Sequence, residues 1–123
     1  VPMMVTTNTE RNVADAAISA LGWQYFVDTI CGDEVPAGKP APDMYREAAR
    51  RIGAKPADCL VFEDSANGMR AAVDAGCVVI GLPEDDEVEV PPEVTEVSQL
   101  RNSRHLAGAR ASEVYEWFSK ISE

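Results

Sequence analysis

Histidine is almost missing from this sequence: His105 stands alone, in a polar, arginine-rich stretch that reads as surface. A histidine-pair metal site or a Ser-His triad therefore has little to build on. Cysteine is scarce and odd in number. Cys31, Cys59 and Cys77 include no closely spaced pair, which argues against a zinc knuckle or a dithiol redox motif. Cys59 and Cys77 each open an apolar run and read as small buried hydrophobes, so a reducing cytoplasm is the expected setting. No apolar run approaches the length of a membrane span, and no basic-then-apolar signal layout opens the chain. Bases are outnumbered, 11 against 21 acids, for a net charge of −10. A surface of that sign repels nucleic-acid phosphates and anionic lipid, so neither is expected as a partner.

What is present is the composition of one globular domain: 123 residues, 46% hydrophobic and 26% charged. The chain opens at Val1 with a strand-like run already under way, so a processed, trimmed or truncated product is expected. Much of the acidic excess falls in Glu84 to Glu96 (EDDEVEVPPEVTE), which lacks a fixed ligand spacing and reads as a solvated loop. Short apolar runs alternate with helical patterns, the signature of an α/β fold with a parallel sheet and flanking helices. Strands are predicted at Val1 to Thr6, Phe26 to Cys31, Cys59 to Phe62 and Val78 to Leu82, with an edge strand at Val94 to Val97. The first helix, capped by Asn8 or Thr9, is expected to bury Val13, Ala16, Ala17, Ala20 and Leu21 and to stop at Gly22. A second starts at Pro42 and buries Tyr45, Ala48, Ala49 and Ile52; a third buries Met69, Ala72 and Val73 and closes at Gly76. The last carries the stripe Val114, Trp117, Phe118 and Ile121, which must dock on the sheet.

Ligands of open α/β sheets sit outside the carboxyl ends of the strands, and three polar clusters fall there. Thr6-Thr7-Asn8-Thr9 offers hydroxyls and free N–H groups at a helix start, fit either for phosphate oxygens or for simple capping. Gly38-Lys39-Pro40-Ala41-Pro42-Asp43 stiffens a lysine between two prolines, which favours an ammonium aimed at an anion over a freely solvated one. Glu63-Asp64-Ser65 follows the apolar CLVF strand directly. Two adjacent acids there repel unless a cation lies near, and magnesium suits them; Asp64 or Ser65 as a helix cap is the plainer alternative. Together the clusters supply donors, a positive charge and a metal holder, the parts a phosphoryl group needs. A nucleophile is missing, for Ser65 has no base beside it.

These clusters, in this order, resemble the haloacid dehalogenase superfamily of phosphohydrolases and phosphomutases, in particular its β-phosphoglucomutase-like branch. GKPAPDMYREAARRIG followed by CLVFEDSANGMRAAVDAGCVVIG carries the likeness almost continuously from Gly38 to Gly81, and VPMMVTTNTER resembles the family's second motif. The resemblance implies that Thr7 binds the transferring phosphoryl group, with Thr6 as the alternative if the register shifts by one. Asn8 and Thr9 would add phosphate contacts. Lys39 would steady the phosphoryl oxygens and the nucleophile, while Glu63 and Asp64 would ligate Mg2+. It also implies a small phosphorylated substrate, such as a sugar phosphate.

One departure is large. Family members begin with a strand ending in an Asp-x-Asp motif, whose first aspartate is phosphorylated, followed by a helical cap. Neither precedes Thr7 here. Residues 1–123 are thus expected to be the C-terminal portion of a Rossmann-like, haloacid dehalogenase-like core that lacks the nucleophile strand and the cap. The missing strand would lie between those ending at Thr7 and Phe62, leaving two central edges unpaired. The expected consequences are an inactive segment that binds magnesium poorly, and a gap filled by an N-terminal fragment, by a swapped copy of this chain, or by direct pairing of the flanking strands. A phosphatase is the leading expectation and a phosphomutase its alternative. The rivals are a non-catalytic phosphate-binding module or degenerate enzyme, and a flavodoxin-like signalling domain, the last disfavoured because VPMMVTT lacks an aspartate.

Overall fold

The computed structural model describes residues 2–122, so the part of the first predicted strand at Val1 lies outside it. Strand β1 (Met4–Thr7) runs into helix α1 (Arg11–Leu21), and the chain returns through β2 (Asp28–Cys31). Helix α2 (Asp43–Arg51) leads to β3 (Leu60–Glu63), α3 (Ala66–Ala75) and β4 (Val78–Gly81). A two-residue strand, β5 (Thr95–Glu96), and helix α4 (Ala111–Ile121) complete the order. Every ladder is parallel, as the alternation of strands and helices requires.

The sheet is in two pieces. β1 pairs with β2, and β3 pairs with β4 and then β5. Among the described residues no ladder joins β1 to β3, so the flanking strands do not pair directly, one of the ways in which the gap was expected to close. Instead α2 packs on both pieces, touching β1, β2 and α3.

Three apolar clusters hold these layers. On one face of β3 and β4, Val61 and Val79 meet Tyr45 of α2 and Met69, Ala71, Ala72 and Ala75 of α3. On the other face Ile80 and Val97 meet Trp117 of α4, with Leu60, Phe62, Val114 and Ile121 around them. The period of two along LVFE divides these residues, Leu60 and Phe62 facing α4 while Val61 and Glu63 face α2 and α3. The third cluster is smaller: Ala14, Ile18 and Cys31, packed by Val5 and Phe26.

That cluster corrects the expected face of α1. Ala14 and Ile18, one turn apart, face the sheet, whereas Val13 and Leu21 are 56% and 65% exposed. Ala16, Ala17 and Ala20 are exposed too. An alanine-rich helix carries small apolar groups around most of its circumference, so periodicity does not single out one stripe. The cysteines change places for a related reason. Cys31 is fully buried under α1, while Cys59 and Cys77, at the starts of their strands, are only half-buried.

Candidate phosphoryl-binding site

The carboxyl ends of β1 and β3 face one another across the divided sheet, and Lys39 spans the interval. Its ammonium donates to the Thr6 carbonyl at 3.1 Å and pairs with Glu63 Oε1 at 2.5 Å. Both partners are largely withdrawn from water, the lysine side chain 11% exposed and the glutamate 8%. Lys39 Nζ also lies 5.1 Å from the centroid of the Tyr45 ring, within cation–π range. The Tyr45 hydroxyl donates to the same Glu63 oxygen. Burial, then the adjacent Glu63 carboxylate, hold the Tyr45 phenol far above its ordinary range, which keeps it a donor.

The loop before Lys39 is tied to the end of β1. Asn8 Oδ1 accepts from the Lys39 N–H at 2.8 Å, and Asn8 Nδ2 donates to the Lys39 carbonyl at 3.2 Å. Because its carboxamide is spent there, Asn8 does not cap α1. Thr9 does not either, because the N-cap position falls to Glu10, without a side-chain bond; the Thr9 N–H donates to the Thr7 hydroxyl at 3.2 Å. Thr7 thus heads a tight turn just ahead of the helix start.

On the β3 side Glu63 and Asp64 part company. Glu63 turns inward, so close to α3 that a Cβ on Gly68 would overlap its carboxylate. Asp64 is exposed and lines an open cleft of about 540 Å³ with Ser65, Ala66, Glu84, Glu87, Val88 and Glu89. Ser65 caps α3, its hydroxyl accepting from Gly68 N–H at 3.0 Å. Lys39, Glu63 and Thr6 therefore meet directly; Thr7 and Asn8 adjoin them through the chain; Asp64 opens on the neighbouring cleft. Helical periodicity marks Tyr45 only as a core residue of α2. No local signal marks its hydroxyl, because its partner lies in another element.

The chain matches the family model described as a hydrolase, haloacid dehalogenase-like hydrolase, over residues 1–76. It belongs to the haloacid dehalogenase-like hydrolases. Among its relatives, the bifunctional riboflavin kinase/FMN phosphatase of Arabidopsis thaliana is 45% identical over 85 residues, 68% of this chain and 22% of that protein. The fructose-1-phosphate phosphatase YqaB of Escherichia coli strain K12 is 41% identical over 76 residues, 61% of this chain and 40% of that protein. The crystal structure of CbbY from Rhodobacter sphaeroides in complex with phosphate superposes with a TM-score of 0.73 at 30% identity, covering 89% of this chain and 50% of that one. The haloacid dehalogenase-like chain thus spans well under two thirds of the length of these relatives.

Proposed function

We propose that this chain supplies the phosphate- and magnesium-handling part of a phosphohydrolase that acts on a small phosphorylated metabolite through an aspartyl-phosphate. The observation that carries the reading is the Lys39 ammonium, held between the carboxyl ends of β1 and β3 with little water around it. A fixed cation in a low-dielectric site stabilises a developing phosphoryl charge far better than one in water. The Thr7 hydroxyl, which accepts from the Thr9 N–H and keeps its own hydrogen to donate, is suited to a remaining phosphoryl oxygen together with the Asn8 N–H before α1. Thr6 is the less apt hydroxyl, since its side chain lies against the Tyr45 phenol.

The donor chemistry on the β3 side fits magnesium. Glu63 and Asp64 offer oxygen only, and magnesium is commonly held by one or two carboxylates, waters and substrate phosphate. Asp64, open to the cleft, would hold the ion with water and substrate, while Glu63, whose Oε1 already takes Lys39 and Tyr45, would contribute only through its other oxygen. Bound there, it would neutralise phosphoryl charge. The chain's own task is to orient the phosphoryl group by Thr7 and the α1 start, and to keep a positive charge on it through Lys39.

A nucleophilic aspartate is the piece to be added. It would reach the site on a strand lying between β1 and β3, from a polypeptide segment outside residues 1–123; a swapped copy of this chain would fill the gap but bring no such aspartate. In this reading 1–123 is the C-terminal portion of the catalytic core. Free thiols at Cys31, Cys59 and Cys77 support a reducing, cytoplasmic setting. Among the described residues no helix is long and apolar enough to cross a membrane.

The test is a titration of the 123-residue chain with inorganic phosphate in the presence of magnesium, followed by calorimetry, beside an assay with p-nitrophenyl phosphate. Phosphate should bind, Lys39→Ala should weaken it by about tenfold or more, and p-nitrophenyl phosphate should not turn over. Robust turnover by the purified chain refutes the need for an added aspartate, and phosphate binding indifferent to Lys39→Ala refutes the site.

A further inference from the structure

We infer that Asn8 and Tyr45 are positioning residues for Lys39, one fixing its backbone and the other its ammonium; the inference rests on the reading of Lys39 as the phosphoryl-binding cation. A lysine is a point charge on a flexible four-carbon stem, and nothing in its own chemistry aims it. Here it is held at both ends by residues 31 positions upstream and six positions downstream.

At the backbone end, the carboxamide of Asn8 meets both peptide groups of Lys39, accepting at 2.8 Å and donating at 3.2 Å. The pairing copies a sheet ladder, with a side chain in place of a strand. Room has been left for it on two sides. A Cβ on Gly38 would stand 2.6 Å from Asn8 Oδ1, and one on Gly32 would overlap the Asn8 carbonyl. The seat is therefore built from the ends of both β1 and β2, and it registers the lysine loop against the Thr7 turn.

At the ammonium end, Tyr45 acts twice. Its ring lies beneath Nζ, and its hydroxyl holds the Glu63 oxygen that Nζ also contacts. A phenylalanine would preserve the ring and the packing against Val61 and Met69. It would leave Glu63 free to swing, and Lys39 with it. The hydroxyl is the group the core does not need and the site uses.

The experiment observes the ammonium itself. In 15N-lysine-labelled chain, Lys39 should give a slowly exchanging NH3+ resonance, absent in Lys39→Ala; Lys55 is exposed and Lys120 lies on the open side of α4, so both exchange fast. Asn8→Ala and Tyr45→Phe should each shift or broaden that resonance while the far-ultraviolet circular dichroism stays that of the parent. Phosphate affinity in the presence of magnesium should fall about tenfold in Asn8→Ala and about threefold in Tyr45→Phe. If Asn8→Ala does not fold, Gly38→Ala crowds the same carboxamide and should reproduce the effect. An ammonium resonance unmoved by both Tyr45→Phe and the Asn8 or Gly38 variant overturns the inference. A resonance that moves while Lys39→Ala leaves phosphate affinity untouched upholds the positioning and overturns the functional reading alone.

Discussion

The Lys39–Glu63 pair concentrates the energetics of the site in two side chains. Taking two charges out of water is expensive, and only their mutual contact and the extra donors from Tyr45 and acceptor from Thr6 offset that cost. Removing one partner should then hurt more than removing both. Lys39→Met, which keeps the stem and deletes the charge, is expected to destabilise the chain by about 3 kcal/mol in urea unfolding at neutral pH. Adding Glu63→Gln to that variant should recover much of the loss, the coupling marking the pair as one unit. Lys39 and Glu63 were both singled out as site residues from their motifs, yet their direct contact was not. Sequence separation of 24 residues hides it, and only the crossing of two loop ends makes it.

At the scale of the element, α2 carries the most information. Its inner face presents Met44, Tyr45 and Ala49 to the core and the site, while its last turn is pinned from outside. Glu47 receives Arg50 at 2.6 Å and Arg51 at 2.9 Å, and Arg51 continues to Asp28 of β2 at 3.1 Å. The hydrogen bonds from Arg50 and then Arg51 pull the Glu47 carboxyl down to about 2. A depressed folded-state value means that the tether is fully present above the ordinary glutamate value of about 4.3 and is lost as pH falls from there through about 2. Carboxyl-carbon NMR should show Glu47 titrating near the bottom of that window, and Arg50→Ala should move its midpoint upward. With Arg50 exposed and Glu47 only half-buried, the tether stabilises α2 only modestly.

α1 and α3 show how unevenly helices announce themselves. Ser65, Gly68, Met69, Ala72 and Gly76 behave in α3 much as local rules anticipate: a hydroxyl cap, a close approach, a buried stripe and a left-handed stop. In α1 neither expected cap forms: the Asn8 carboxamide is diverted to the lysine loop, and the N-cap position falls one residue past Thr9, at Glu10. The contest there lies between local capping and a tertiary contact, and the tertiary contact prevails because it satisfies two peptide groups of Lys39 at once.

For the molecule as a whole, the break between β1 and β3 is the defining feature. Each of those strands keeps an unpaired edge beside the site, with α2 and the Lys39 contacts linking the two pieces. The larger piece is closed on its far side by α4, anchored through Trp117 against Ile80 and Val97. Trp117→Ala should cost about 3–5 kcal/mol, as a lost aromatic anchor typically does, and lower the thermal midpoint. The loss should be read in unfolding monitored by circular dichroism, since the remaining Trp23 is 44% exposed and reports on α1 instead.

The sequence by itself determined the element order, the parallel class, the family and most of the docking stripe of α4 (Val114, Trp117 and Ile121, with Phe118 half-buried outside that cluster), because each rests on short-range periodicity or on a contiguous motif. Tertiary structure decided which side of α1 is buried, which cysteine is enclosed, how the strands are partitioned between two ladders, and that Asn8 and Tyr45 converge on Lys39. These outcomes depend on groups brought together across tens of residues, where no local spacing encodes the partner.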